Sequence, residues 1–150
     1  MKQQKSGLTM VSIIIYVALF FVFIAFAISI STNMNYKNMA AKGNIYINEQ
    51  YNKLQYNLFK SAKVSSYVNI IQDDIVFSNN DIYHYDSSKR KIYKNNAILV
   101  DEVDNFSVKT LNNLNITDST KYVSYTITFS KYNQKLDRDL FVAVGDNYGQ

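Results

Sequence analysis

The apolar positions of this chain fall into three patterns that follow one another along its length. From Leu8 to Ile30 nearly every residue is Leu, Ile, Val, Phe, Ala, Met or Tyr, and no charged residue stands between Lys5 and Lys37. A helix crosses the apolar core of a bilayer with about 20 residues, so this run predicts one membrane span over residues 8–31. Past Ser31 the chain turns polar but keeps a helical period: Ile47, Tyr51, Leu54, Leu58 and Ala62 recur in steps of four, three, four and four, which is one face of a helix. The chain has no proline, so span and stripe are predicted to form a single helix ending near Lys63. Gly43 is expected to weaken that helix around Asn44, by about 1 kcal/mol relative to alanine. The amphipathic half, residues 32–63, needs a cover. A sheet of the same domain is the expected one, and a helix of a neighbouring subunit is the alternative.

From Val64 the period shortens to two. Ile75 and Phe77, then Ile82, Tyr83 and Tyr85, then Ile92 and Tyr93 form short runs flanked by Asn, Asp or Ser, as in strands joined by turns. In the segment Asp86-Ser87-Ser88-Lys89-Arg90, Asp and Ser side chains can bond their own backbone, so Ile82 to Tyr85 and Lys91 to Lys94 should pair as a hairpin. Further strands are predicted at Phe106 to Leu111, Tyr122 to Phe129 and Leu140 to Val144, with polar loops at Asn112 to Lys121 and Tyr132 to Asp139. The resulting fold class is α+β: a long N-terminal helix, half transmembrane and half amphipathic, packed on a C-terminal antiparallel β-sheet over residues 64–150.

Charge orients this plan. Lys2 and Lys5 are the only charges before the span, and short positive flanks stay on the cytoplasmic side, which puts everything after Ser31 outside. The formal net charge of +4 falls to about +2 once those two lysines are set aside, so nucleic acid is not predicted as a partner. Lys89, Arg90 and Lys91 are the only tight basic cluster, and Asp101, Glu102 and Asp104 follow close behind, a mixture expected of solvated turns. With no cysteine, the exported domain has neither a disulfide framework nor thiolate chemistry.

No residue constellation predicts an enzyme, a metal or a cofactor. His84 is the only histidine, and between Tyr83 and Tyr85 it should point away from both, as a surface residue. Asp101, Glu102 and Asp104 lack the alternating ligands and central glycine of a calcium loop. Asp73 and Asp74 should stand on opposite faces of a strand, with no nearby base or nucleophile. The 13 tyrosines are scattered over helix and strands, where a half-buried ring with a wet hydroxyl accounts for them as well as a stacking platform does. The triplets Asn105-Phe106-Ser107 and Asn115-Ile116-Thr117 fit a glycosylation acceptor, a pattern frequent by chance in an asparagine-rich chain.

The first twelve residues carry the most specific pattern. Met1-Lys-Gln-Gln-Lys-Ser-Gly7 followed by Leu8-Thr9-Met10-Val11-Ser12 and the apolar run resembles a type IV prepilin or pseudopilin. That resemblance implies a leader peptide over residues 1–7, cleavage between Gly7 and Leu8 by a prepilin peptidase, and N-methylation of the new terminus at Leu8. It also implies a pilin-like fold. Leu8 replaces the customary phenylalanine, Thr9 is retained, and the position that is usually glutamate is Ser12. The run Ile82-Tyr-His-Tyr-Asp86 to Ile92-Tyr93, then Ile98-Leu99 to Phe106-Ser-Val108, is similar to minor pilins of the PilW and pseudopilin J kind.

The function so implied is that of a minor pilin or pseudopilin, a structural subunit of a type IV pilus or a related secretion or competence filament. Its implied partners are other pilins through the N-terminal helix, the prepilin peptidase, the assembly platform and the membrane. The chain would sit in the cell membrane with its N-terminus cytoplasmic, and after processing in an extracellular filament. A buried amino terminus is a costly cation that an adjoining carboxylate can neutralise. Neutral Ser12 cannot do so, which suggests a place near the filament tip. Two other readings remain: a secreted binding protein cut after Ala25-Phe26-Ala27, whose apolar region exceeds the roughly 7 to 15 residues of a signal peptide, and an uncleaved membrane-anchored binding protein or enzyme.

Overall fold

A computed structural model describes residues 4–72, 74–110 and 122–145, with the side chains of the first helix described from Thr9 onward. The helix α1 runs from Gln4 to Lys63 and ends where the apolar stripe ends. The chain divides into two compact units, one up to Met39 and one from Ala40.

In the first unit the helix carries its apolar residues all round and on the outside. Phe20, Phe21, Phe23 and Phe26 are each between 61% and 69% exposed, whereas a helix of a water-soluble core would bury at least one face. The segment is long and apolar enough to cross a membrane. From Thr9 to Ile30 it spans about 33 Å at 1.5 Å per residue, enough for the bilayer core. Thr32 donates its hydroxyl back to the carbonyls of Ile28 (3.1 Å) and Ser29 (3.0 Å), so this polar side chain is satisfied within the helix.

In the second unit the stripe does what its period predicts. Ile47, Leu54, Leu58 and Ala62 are buried and Tyr51 is half-buried, all within one core with the inward faces of the strands. The cover is therefore a sheet of the same domain. Five strands, β1 (Val68–Ile71), β2 (Asp74–Phe77), β3 (Ile82–Asp86), β4 (Lys91–Lys94) and β5 (Ala97–Val100), form an antiparallel meander in sequence order. Ile75, Phe77, Tyr83, Ile92 and Val100 point inward and are buried. The hairpin expected between Ile82 and Lys94 is present, with Tyr83 opposite Lys94 and Tyr85 opposite Ile92.

A second antiparallel sheet holds β6 (Val103–Thr110), β7 (Tyr122–Lys131) and β8 (Gln134–Ala143), with β7 in the middle. The antiparallel region is thus split in two at the Asp101-Glu102 corner, where Glu102 takes a positive φ of 58°. The expected loop from Tyr132 to Asp139 is corrected: it is a two-residue turn at Tyr132 and Asn133, and β8 begins at Gln134. Both turn residues have positive φ (49° and 61°), as a tight hairpin turn requires. The strand expected from Leu140 thus starts six residues earlier, and its first part, Gln134 to Asp139, reads as a loop because β8 is an edge, and edges carry charge: Lys135, Asp137, Arg138 and Asp139 are all exposed. The turn between β4 and β5 uses the same geometry at Asn95 and Asn96 (50° and 68°). Asparagine stands in for glycine here because it tolerates the left-handed region better than other side chains. The expected loop from Asn112 to Lys121 lies outside the described residues.

Candidate functional site: the exposed helix and the polar clusters of the β unit

Gly7 and Leu8 lie within α1, their side chains outside the description, and Ser12 is exposed four residues beyond Leu8, one helical turn on. Ala18, Ala25, Ala27 and Ser29 lie in the same exposed run, small enough to let another helix approach closely. Around them the large apolar side chains stand outward and exposed.

Among the described residues of the second unit, three polar clusters bear on function, and two of them change a sequence-based expectation. In the first, fully buried Ser61 on α1 donates to Asp81 Oδ2 at 2.5 Å and lies 2.7 Å from the Tyr83 hydroxyl. Lys94 Nζ reaches both Ser61 Oγ (3.1 Å) and Asp81 Oδ2 (2.9 Å), while Asn95 and Asn79 donate to the same carboxylate. Burial alone would raise the Asp81 pKa, but the hydrogen bonds from Ser61, Lys94, Asn95 and Asn79 outweigh it and hold the carboxyl well below its usual range. Burial would likewise lower Lys94, yet its contacts with Asp81 and Tyr83 leave it above the ordinary lysine value. A serine beside a lysine invites a nucleophile-and-base reading. Here the lysine is held against Asp81 and the serine is buried, so the cluster clamps α1 to β3 and β4.

The second cluster gathers the acidic run expected to be a solvated turn. Arg90 bonds Glu102 (3.1 Å) and Asp104 (2.6 Å), and its guanidinium also donates to the Ser130 carbonyl (3.0 Å) and hydroxyl (2.9 Å). Tyr46 on α1 donates to Asp101, and the Lys131 ammonium lies 3.5 Å over the Tyr46 ring. These side chains tie the corner between the sheets to the helix. Burial, then the Asp101 contact, raises the Tyr46 phenol well above its ordinary value. Gly43, one turn earlier, is buried beneath the β7–β8 turn: a Cβ there would lie 2.8 Å from the Lys131 carbonyl oxygen. What reads in sequence as a weak point of the helix is a close approach of its backbone to the β7–β8 turn.

The third cluster is the pair Asp74 and His84. His84 is 56% exposed, as expected, but its Nδ1 lies 2.7 Å from Asp74 Oδ1, so the expectation that this carboxylate has no nearby base is corrected. A carboxylate only accepts, so Nδ1 carries the hydrogen. Asp73 lies outside the described residues. Asn105, first residue of a candidate glycosylation triplet, is exposed on β6, and Asn115 of the other lies outside the described residues. Among the described residues, no three His, Cys, Asp or Glu side chains converge in a way that could hold a metal ion.

The class these features define is an α+β domain carried on a helix with an exposed, span-length apolar segment. Comparison with protein-family models, with curated proteins and with solved structures found no match.

Proposed function

We propose that the chain is a minor pilin or pseudopilin, a structural subunit of a type IV pilus or of a related secretion or competence filament. The observation that carries this reading is the junction at Gly7-Leu8-Thr9: a short basic leader, a glycine, and then an apolar helix that is exposed on every side. Before assembly the bilayer covers that helix. On assembly, the helices of neighbouring pilins take the place of lipid, close approach occurring at Ala18, Ala25, Ala27 and Ser29 while Val, Ile and Phe fill the gaps. The amphipathic half of α1 stays with its sheets, clamped at Ser61 and Tyr46, so that the domain travels with the helix that is extracted.

Ser12 sets the place in the filament. A subunit arriving in a helical bundle carries an amino terminus into an apolar environment, where an unpaired cation is costly. Ser12 offers no carboxylate to a subunit above, so the favoured position is the tip, where none sits above. Replacing Ser12 by Glu tests the idea in cells assembling filaments, with the subunit located by gold labelling. The expected result is wild type confined to filament ends and Ser12→Glu distributed along their length. Identical distributions of the two would refute the tip assignment.

A further inference from the structure

Between the two sheets runs a groove of about 420 Å³. One wall consists of Asn105, Phe106, Ser107 and Val108, four consecutive residues of β6. Successive side chains of a strand point to opposite faces, so a groove on one face of β6 would touch alternate residues only. A groove that touches all four runs along the edge of the strand. Among the described residues, β6 is an edge of its sheet, paired with β7. Among the described residues, the backbone pairing on its other side is the bond from Val103 N–H to the Arg90 carbonyl (3.0 Å), just before the groove begins. The opposite wall holds His84 and Tyr85 of β3, together with Gln72, Asp74 and Ser87. The groove is therefore about the length of a short strand, roughly 10 Å along β6, and is bordered on one side by the edge of β6.

We propose that this groove binds an extended segment of a partner polypeptide, which adds as a strand to the free edge of β6. Strand edges recognise peptides through main-chain hydrogen bonds and read alternate side chains in flanking pockets. The pocket here is made by Asp74 and His84. Among the described lining residues, Asp74 and His84 are the ionisable acid and base, apart from the phenol of Tyr85. One carboxylate oxygen orients the imidazole, and the carboxylate keeps acceptor capacity for a further donor. A Lys or Arg of the incoming strand fits opposite Asp74. This site does not depend on whether the chain enters a filament.

The test uses the full chain in detergent micelles and amide hydrogen exchange. One probe is a capped heptapeptide of alternating Thr and Val with a central Lys; the other has Glu in place of that Lys. The Lys peptide should slow exchange at Asn105 to Val108 and shift the His84 ring resonances. The Glu peptide should bind about two- to fivefold more weakly, the size of one partly exposed ion pair. Asp74→Asn should abolish that difference, and His84→Gln should weaken both peptides, with tyrosine near-ultraviolet circular dichroism confirming that each variant is folded. Unchanged exchange at Asn105 to Val108, equal slowing at the β1, β5 and β8 edges, or a stronger effect from maltose at the same residues overturns the proposal.

Discussion

Gly43 is the position where reading the sequence and reading the packing give opposite predictions. By helix propensity alone, Gly43→Ala should stabilise α1 by about 1 kcal/mol, because alanine loses less backbone freedom on folding. In the folded protein the added Cβ would stand 2.8 Å from the Lys131 carbonyl oxygen and 3.2 Å from Gln134 Cγ. The glutamine can swing aside. The oxygen is backbone, in the last residue before the β7–β8 turn, and that turn is held at Lys131 by its contacts with Tyr46 and Glu102. Overpacking of this kind costs about 1–3 kcal/mol, so the clash exceeds the propensity gain and the net effect is a loss of about 1 kcal/mol. For a domain of this size that lowers Tm by about 4 °C. Gly43→Val, with two further methyl groups and a β-branch, should lose more. Exposed Ala41 two residues earlier supplies the control: Ala41→Gly should lose about 1 kcal/mol through propensity alone. The assay is thermal unfolding of the full chain in detergent, followed by the near-ultraviolet signal of the buried tyrosines. A Gly43→Ala variant more stable than wild type would refute the claim that the helix and the β7–β8 turn are in contact at this point.

Other predictions concern the buried polar groups. Asp81 has a folded-state pKa held below its unfolded value of about 3.9, so its contribution to stability is present above that pH and is lost as the pH falls toward the folded value. Asp86 and Asp137 are lowered as well. Urea midpoints should therefore fall below about pH 4, and Asp81→Asn should be less stable at pH 7 but show a shallower decline in acid; an unchanged acid slope would contradict the clamp. Tyr125 is fully buried and its hydroxyl has no hydrogen-bond partner among the described residues. Tyr125→Phe should raise stability by about 1 kcal/mol in the same unfolding assay, because it removes a desolvated donor without opening a cavity, and a loss of that size would count against the packing described.

Much of the fold was legible because burial imposes a period. The stripe from Ile47 to Ala62 marked the end of α1 at Lys63, and the turn residues after Asp86 placed the hairpin of β3 and β4. The failures have physical reasons. The first half of β8, before Leu140, reads as a loop because Arg138 occupies the inward alternation between Leu136 and Leu140 and the outward positions there are charged, as suits an edge. Gly43 looked like a weakness because propensity describes a lone helix, whereas its value here comes from a carbonyl nearly ninety residues away in sequence. The pair of Asp74 and His84 needs the register of β2 against β3, which neither strand specifies alone. The clamp at Ser61 was hidden because serine on an apolar helix face reads as a gap in the stripe, and only its meeting with Asp81 and Lys94 reveals a role.

The proposed filament role depends most directly on what happens between Gly7 and Leu8. The deciding measurement is the intact mass and N-terminal sequence of the protein isolated from its own cells. The account predicts a chain that begins at Leu8 and carries a methyl group on its terminal amine. A chain still beginning at Met1, or one beginning at Ile28, would contradict it and return the protein to an anchored or secreted binding module.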